Sequence, residues 1–475
     1  MSMFKWDVVY GGKTPPPGKA VAPGERLSWG RTSGLGAQHV VAMFGATFVF
    51  PLIMGLDPNL AIMMSGIATI CFLLIVKNKV PSYLGTSASF VGGAAAIYNQ
   101  QGGPADVTGA ILIAGVVLAI VGVIIHFLGA DAVNAVLPPV VTGGVVMVIG
   151  FNLAPVATNI YMPADPWIAL ITMTAVILMA VGLRGFFGRI AIFLGLIFGY
   201  VLSWLADVVL GGSRVDWTLV KQADWFGLPS ATESGLVGNQ NELGNMAAVG
   251  WHLPSFSVTF TLLVLPAVIA LVAENVGHVK AVAEMTGDDL DPVMGRAVGA
   301  DGVGTVIATS VGGSPTTTYA ENIGVMAATR VYSTAAYFVA AFTAILFGLI
   351  PKFGAVVAAT PPAVLGGITL VLYGMIGLLG AKIWKENNVD FGNPVNLVPV
   401  AAGLIMGIGL GTDQFFAITD DFTLGGIAMG TLIIVVGYHL ARLIAGRNGH
   451  EGAGIVGPTG SNVADDNPPA HRSNS

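Results

Sequence analysis

The stretch Ser314-Pro-Thr-Thr-Thr-Tyr-Ala-Glu-Asn-Ile-Gly-Val-Met-Ala-Ala-Thr-Arg330 lies between long hydrophobic segments. The residues before Glu321 are mostly β-branched or proline and predict extended backbone, whereas Ile323 to Thr329 is long enough for only about two helical turns. Extended backbone and a half-helix therefore share one membrane crossing. Non-helical backbone at membrane depth is tolerated only where protein covers it or where it lines a cavity, so the ionisable Glu321 at this junction indicates a binding site.

The composition is that of a polytopic membrane protein. Of the 475 residues, 54% are hydrophobic and only 10% are charged, against roughly 25% charged residues in soluble domains. The single cysteine, Cys71, excludes an internal disulfide framework and a cysteine metal site. We expect membrane lipid around the chain, no nucleic-acid partner, and no metal.

The hydropathy pattern from Leu35 onward predicts an all-α fold with about fourteen membrane crossings. The predicted apolar spans are 36–56, 59–76, 106–128, 132–156, 163–183, 188–210, 255–283, 297–312, 334–351, 355–380, 394–411 and 422–445. The two remaining crossings, 80–98 and 314–330, are too polar or too short to be full helices.

The positions of the basic residues predict the orientation. With a cytoplasmic N terminus and alternating spans, most basic residues outside the N-terminal segment fall on the inner side of the membrane. These residues are Lys77, Lys79, Arg184, Arg189, Lys280, Arg296, Arg330, Lys382, Lys385, Arg442 and Arg447. Only Arg214, Lys221 and Lys352 fall outside. This asymmetry predicts a multi-pass protein of the cytoplasmic (inner) membrane with both termini cytoplasmic.

The chain divides into two similar halves. Pro-Pro-x-Val-x-Gly-Gly occurs at 138–144 and again at 361–367, on the fifth crossing of each half. An odd number of crossings per half inverts the second copy relative to the first. The predicted regions are a cytoplasmic N-terminal segment 1–34, a seven-span repeat 35–210, an external loop 211–254, a second seven-span repeat 255–445 and a disordered cytoplasmic tail 446–475.

The short third crossing is the counterpart of the tenth. Val80 to Val91 and Ser314 to Val325 each begin near a proline, run through small polar residues and continue into an apolar half-helix containing glycine. Two half-helices whose N-terminal ends face each other present unpaired N–H groups and positive dipole ends to a small polar ligand. Matched breaks also occur in packed helices, but the Glu in one of them favours a transport site.

A second candidate site lies on the eighth crossing, at Glu274 and His278. Four residues apart, the two side chains share one face of a helix, where they could form a packing pair or a functional pair. Desolvation disfavours the charged form of a carboxylate and so favours its protonated form. A proton-coupled carrier requires a group that can take up a proton in this way. Of Glu274 and Glu321, one is suited to hold a substrate and the other a proton, with His278 tuning either.

These elements together resemble the nucleobase–ascorbate transporter family, most closely its bacterial uracil carriers. The resemblance extends from about Leu35 to Ala445. Its residues are Glu274-Asn-Val-Gly-His278, the signature Glu321, Asn322, Gly324, Thr329 and Arg330, and the Gln38-His39 pair of the first crossing.

The resemblance implies fourteen segments in two inverted seven-span repeats, with short antiparallel strands in segments 3 and 10. Spans 35–128 and 255–351 would form a core domain, and spans 131–210 and 354–445 a gate domain that often mediates homodimers. The substrate would lie between the two strands and move with the core domain, by an elevator-like or rocking motion.

The resemblance also implies roles for particular residues. Glu274 and Glu321 would accept the N–H bonds of a neutral base such as uracil, and Tyr319 with Ala320 would lend backbone groups to it. His278 would hydrogen-bond Glu274 or its proton network. The family function is import of a nucleobase by proton symport, with the proton as coupling ion and no further cofactor.

The sequence departs from uracil carriers at two positions. Ala88 stands where many of them have an aromatic residue that stacks on the base. Phe90 follows two residues later and would lie on the same side of a strand. Asn275 stands where those relatives commonly have a His, and we interpret it as a tolerated polar neighbour.

Other functions remain as alternatives. Xanthine or another purine could be carried by the same mechanism. An anion exchanger shares the facing half-helices, but two carboxylates repel an anion. An enzyme would require a nucleophile or a metal set, and the histidines are too scattered to form one, so we predict a transporter and not an enzyme.

Overall fold

The computed structural model describes residues 4–129, 135–229, 250–411, 415–419 and 422–447. Helices dominate it, as the hydropathy predicts. The main helices are α1 (Trp29–Ile53), α2 (Pro58–Ile75), α3 (Val91–Asn99), α4 (Pro104–Leu128), α5 (Pro139–Asn152), α6 (Pro166–Gly182), α7 (Ala191–Leu210), α8 (Pro266–Thr286), α9 (Asp291–Thr309), α10 (Ala320–Thr329), α11 (Thr334–Gly348), α12 (Pro362–Glu386), α13 (Pro394–Leu410) and α14 (Gly426–Arg447). The strands are β1 (Asp7–Val8), β2 (Glu25–Arg26), β3 (Leu84–Thr86), β4 (Thr316–Thr318), β5 (Phe415–Thr419) and β6 (Phe422–Gly425).

Only some of the helices are long enough to cross a membrane. Among the described residues, eight helices are long and apolar enough to cross a membrane. The number becomes nine if α11 and the short helix Pro351–Ala358, bent by 80° relative to each other, form one span. α6 and α13 are shorter apolar helices. The chain is therefore a mostly helical, multi-pass membrane protein.

Helix boundaries differ from the predicted spans mainly at prolines. The predicted span 255–283 is divided at Pro266 into the short helix Val258–Val264 and α8. The predicted span 355–380 is divided before Pro362 between the short helix Pro351–Ala358 and α12. A proline lacks the N–H that a helix interior needs, and it fits best at the first position of a helix.

The N-terminal segment is folded against the helices rather than only preceding them. β1 and β2 pair in parallel, and α1 already begins at Trp29. The Val21 N–H donates to the carbonyl of Arg330 at 2.9 Å, and the Tyr332 N–H donates to the carbonyl of Val21 at 2.8 Å. The Trp6 Nε1–H donates to Thr334 Oγ1 at 2.8 Å. These bonds fix the chain just beyond the C-terminal end of α10.

The helices pack as two groups. α1, α2, α4, α9 and α11 contact one another extensively, and so do α5, α6, α7, α12, α13 and α14. Each group contains very close helix approaches, for example between α4 and α9 and between α5 and α12. A Cβ atom at Gly122 of α4 would overlap the backbone of Gly299 in α9, and one at Gly150 of α5 would overlap the backbone of Gly377 in α12. Glycine therefore permits both close approaches.

The loop predicted to be external is attached at both of its described ends. Arg214 Nε donates to Asp165 Oδ2 at 2.8 Å, and Arg214 Nη1 donates to Asp207 Oδ1 at 3.2 Å, which joins the loop to α6 and α7. At the other end His252 Nε2 and Thr108 Oγ1 are hydrogen-bonded at 3.1 Å, which joins it to α4.

Two predicted regions extend beyond the part of the chain that the structure describes. Residues 230–249 of the loop and 448–475 of the predicted tail lie outside the described residues. α14 continues to Arg447, beyond the predicted start of the tail. The antiparallel β5–β6 pair was not predicted.

Candidate binding site between two half-helices

The two interrupted crossings meet through their strands. β3 and β4 are antiparallel, with Leu84 opposite Thr318 and Thr86 opposite Thr316. The structure thus contains the antiparallel strands predicted for these two segments. β4 leads through Tyr319 directly into α10, while β3 leads through the 3₁₀ turn Ala88–Phe90 into α3. The first N–H groups of a helix have no intrahelical partner, so two N-terminal ends offer donors beside the strand pair.

The side chains at this junction are unequally exposed. Residues 83–87 and 316–319 are buried. Glu321 and Glu274 are half-buried, and Ala320 is exposed. Ala88 is also half-buried. The strand pair is therefore covered by protein, while the two glutamates and the helix starts keep accessible surface for a ligand.

A third carboxyl group, which the sequence analysis missed, joins the two glutamates. Asp301 of α9 is completely buried. Glu274 interacts electrostatically with both Asp301 and Glu321. The available signal was an ionisable residue inside the predicted span 297–312, and such a residue is a functional candidate by default.

His278 is connected to Asp301 through Thr318 and Asn275. His278 Nδ1 lies 2.7 Å from Thr318 Oγ1, and Thr318 Oγ1 donates to Asn275 Oδ1 at 3.1 Å. Asn275 Nδ2 in turn donates to Asp301 Oδ2 at 2.6 Å. Among the described residues, the hydrogen bond of His278 is made to Thr318 and not to Glu274. Asn275 is completely buried and lies at the centre of this series of hydrogen bonds. This corrects its interpretation as a tolerated polar neighbour.

Tyr319 closes the strand pair with its side chain. Its hydroxyl donates to the Thr86 carbonyl at 2.6 Å and accepts from Thr47 Oγ1 at 3.3 Å. Its N–H donates to the Tyr83 carbonyl at 3.2 Å. The backbone N–H of Tyr319 is therefore occupied in this conformation, contrary to its predicted role toward a base. Ala320 is the first residue of α10 and is exposed, and its backbone role toward a base stays a prediction.

The predicted alternation of Ala88 and Phe90 is wrong. β3 ends at Thr86, and residues 88–90 form a 3₁₀ turn in which side chains no longer alternate between two faces. Phe90 has no exposed surface and belongs to the hydrophobic core, whereas Ala88 keeps some. This conformation offers Phe90 no face toward a ligand.

The remaining signature residues support α10. The Asn322 amide donates to the His39 carbonyl at 2.9 Å and lies 3.2 Å from His39 Nδ1, and the His39 ring packs on Tyr337. Thr329 Oγ1 donates to the Val325 carbonyl at 2.9 Å. Gln38 lies half-buried in α1, and Gly324 lies within α10. Arg330 follows the C-terminal end of α10 in the left-handed conformation, with φ of 55°.

The part of the chain that the structure describes holds no cluster of three or more His, Cys, Asp or Glu side chains suited to a metal ion. The polar groups at the junction are carboxyl, hydroxyl, amide and imidazole groups. Groups of these kinds can form hydrogen bonds with a small polar ligand.

Comparison with known proteins establishes the class. Residues 30–415 match the family model Xan_ur_permease, described as a permease family. The chain belongs to this permease family, which confirms the predicted family resemblance and the prediction of a transporter rather than an enzyme.

Individual relatives match over nearly the whole chain. The chain is 44% identical over 439 residues to the putative pyrimidine permease RutG of Escherichia coli (strain K12), with 91% of this chain and 94% of the relative covered. It is 35% identical over 433 residues to the uracil permease of Bacillus caldolyticus, with 89% and 94% covered.

Solved structures share the fold at low sequence identity. The transmembrane domain of the cyanobacterial bicarbonate transporter BicA aligns with a TM-score of 0.54 and 13% identity, covering 86% of this chain and 96% of that one. The murine anion transporter Slc26a9 aligns with a TM-score of 0.60 and 11% identity, covering 87% and 68%.

Proposed function

We propose that this permease imports uracil, or a closely related pyrimidine, across the cytoplasmic membrane by proton symport. The observation that carries the proposal is the placement of Glu274 and Glu321 at the junction of β3, β4 and the helix starts. Both glutamates keep accessible surface there, and they interact electrostatically with each other. Relatives named pyrimidine or uracil permease match over nearly their whole length.

The chemistry of the junction suits a pyrimidine base. Uracil is planar and neutral, with ring N–H donors beside carbonyl acceptors. The carboxyl groups of Glu274 and Glu321 would accept its N–H bonds, and N–H groups at the start of α10, including that of Ala320, would donate to its carbonyls. Ala88 leaves room beside this position and would contact the ring.

The carboxyl cluster supports proton coupling. Glu274 interacts electrostatically with both Glu321 and Asp301 inside the protein, and like charges in a desolvated site repel one another. A proton bound at Glu274, with His278 on the same helix face, would reduce this repulsion and permit the base to bind. Release of the base and the proton on the cytoplasmic side would complete the cycle.

The fold supports alternating access. The two helix groups would form the core domain (35–128 and 255–351) and the gate domain (131–210 and 354–445). Each domain would combine spans from both inverted seven-span repeats, with fourteen segments in all. The equivalent Pro-Pro-x-Val-x-Gly-Gly helices α5 and α12 pack directly on each other, as expected for an internal symmetry. The core domain would carry the site past the gate domain, both termini would be cytoplasmic, and the gate domain would form any homodimer contact.

Two alternatives have specific support. Ala88 in place of an aromatic residue leaves space for a larger base, which favours xanthine or another purine. The structural similarity to a bicarbonate transporter and an anion transporter favours an anion exchanger of the same fold. The three acids at the junction oppose the second alternative, because they would repel an anion.

Uptake of radiolabelled uracil into proteoliposomes tests the proposal. We expect uptake to require an inward proton gradient and to be competed by unlabelled uracil and thymine but not by xanthine or urate. If xanthine competes for uptake, the substrate would be a purine and the proposed mechanism would still hold. Absence of base uptake together with bicarbonate or chloride exchange would overturn the proposal.

A further inference from the structure

The orientation of the Asn275 side-chain amide is fixed by a backbone carbonyl. Its Nδ2 group lies 2.9 Å from the carbonyl oxygen of Leu271 and 2.6 Å from Asp301 Oδ2. A backbone carbonyl only accepts hydrogen bonds, so the amide must direct its NH₂ group toward Leu271, whatever the protonation state of Asp301. The reversed amide would place two oxygens against each other in a buried site. Asn275 Oδ1 therefore faces Thr318.

This orientation decides the direction of the next two hydrogen bonds. Asn275 Oδ1 is an acceptor, so the Thr318 hydroxyl, 3.1 Å away, must donate its single proton to it. Thr318 Oγ1 then has only lone pairs left for His278 Nδ1 at 2.7 Å. Nδ1 must therefore carry a hydrogen and donate it. The reverse arrangement would leave the buried Oδ1 of Asn275 without a donor, which is unfavourable.

We propose that Asn275 and Thr318 are positioning residues that hold His278 as its Nδ1–H tautomer and leave Nε2 as the atom that meets a ligand N–H or takes up a proton. Among the described residues, the hydrogen bond of His278 involves Nδ1, and the side chain is half-buried. The charged groups around it are Glu274 on its own helix, Asp301 through Asn275, and Lys382 of α12, which acts on it electrostatically. The ligand's identity rests on the proposed function, but the tautomer does not.

The tautomer is measured by ¹⁵N NMR of the full-length protein, labelled at histidine and held in detergent micelles. The chain has seven histidines, and the His278→Gln variant identifies the signals of His278. At neutral pH we expect a protonated Nδ1 and an unprotonated Nε2. Thr318→Val removes the acceptor with little change in volume and should allow the Nε2–H form, while Thr318→Ser restores the acceptor and the wild-type pattern.

A control variant separates this effect from a general loss of a hydroxyl. Thr343→Val also removes a hydroxyl, one that donates at 2.8 Å to the Val339 carbonyl of its own helix, and it should leave the His278 signals unchanged. An Nε2–H tautomer in the wild type, or an unchanged pattern in Thr318→Val, would overturn the proposal.

Binding of uracil gives a second readout. Loss of one positioned hydrogen bond should weaken the affinity of Thr318→Val and Asn275→Leu about tenfold, with Thr318→Ser close to wild type. Equal affinities in Thr318→Val and Thr318→Ser would count against a positioning role. If the wild type binds no uracil, the proposed function fails, while the NMR pattern still decides the tautomer independently.

Discussion

The Tyr319 hydroxyl donates to the carbonyl of Thr86 at 2.6 Å. A side chain at the start of one half-helix therefore closes onto the strand that leads to the other. The Tyr319 ring also covers Gly85, which lies opposite Thr317 in the strand pair. The spacing of the two half-helices depends on this contact as well as on the backbone bonds of β3 and β4.

Tyr319→Phe should destabilise the protein by about 1–3 kcal/mol, because the buried Thr86 carbonyl loses a donor. The measurement is the thermal unfolding midpoint in detergent, together with uracil affinity. Tyr373→Phe is the matched control, since the Tyr373 hydroxyl is buried without a hydrogen-bond partner among the described residues. If both variants unfold at the same temperature, the Tyr319 bond has no structural importance.

Gly85→Ala should disrupt the strand pair. A Cβ atom at Gly85 would lie 2.6 Å from Tyr319 Cε2 and 2.7 Å from Thr47 Oγ1. Overpacking of this kind costs about 1–3 kcal/mol, and displacement of Tyr319 should also lower uracil uptake. Gly374→Ala is the control, because a Cβ atom there would have no neighbour within 4 Å. Wild-type uptake and stability in Gly85→Ala would contradict the close contact.

Substitutions of the two glutamates should impair different steps of transport. Glu321→Ala should weaken uracil binding by about 1.5–3 kcal/mol, or below detection, because it removes a charged acceptor. Glu274→Gln should impair uptake that depends on the proton gradient. Isothermal titration and gradient-driven uptake measure the two effects. Glu284→Gln, at an exposed position of the same helix as Glu274, should behave as wild type. Normal gradient-driven accumulation by Glu321→Ala or by Glu274→Gln would refute the role assigned to that residue.

The N-terminal segment should stabilise the start of α11, just beyond the end of α10. Trp6→Phe removes the Nε1–H bond to Thr334 Oγ1 and keeps an aromatic ring against Phe338. We expect a loss of about 1 kcal/mol in stability, seen as a lower unfolding midpoint. Trp167→Phe, at a residue that is 74% exposed, should have little effect. A midpoint unchanged by Trp6→Phe would show that this bond adds nothing.

The ion pair of Arg214 and Asp165 should give a pH-dependent contribution to stability. Burial alone would raise the pKa of Asp165, but hydrogen bonds from Arg214 and the Ile168 N–H, together with the charge of Arg214, hold it below its ordinary value of 3.8. A lowered folded-state pKa stabilises the folded protein above the unfolded value, and this contribution is lost as the pH falls through the folded value.

Arg214→Gln should therefore lower the unfolding midpoint at neutral pH. The difference from wild type should shrink as the pH falls below about 3.8. Arg184→Gln removes the same charge at an exposed position and should show no such trend. A difference that stays constant down to the most acidic measurable pH would argue against the ion pair.

The sequence predicted the interrupted crossings better than the details within them. Pro315, the three threonines and Glu321 were sufficient to predict a strand followed by a half-helix, because β-branched residues and proline disfavour a continuous helix. The same reasoning failed at Phe90, since a 3₁₀ turn replaced the strand there. It also missed Asp301, whose importance arises from its contact with Asn275 of another helix.

The sequence by itself determined the class of the protein, the two interrupted segments and the identity of the two accessible glutamates. These features follow from composition, hydropathy and local backbone preference, which act along the chain. Only the tertiary structure decided that His278 contacts Thr318 rather than Glu274. It also decided that Asn275 joins Thr318 to Asp301, and that the Tyr319 N–H donates to the Tyr83 carbonyl. Such contacts join residues on different segments, and hydrogen-bond direction depends on which groups packing brings within about 3 Å of each other.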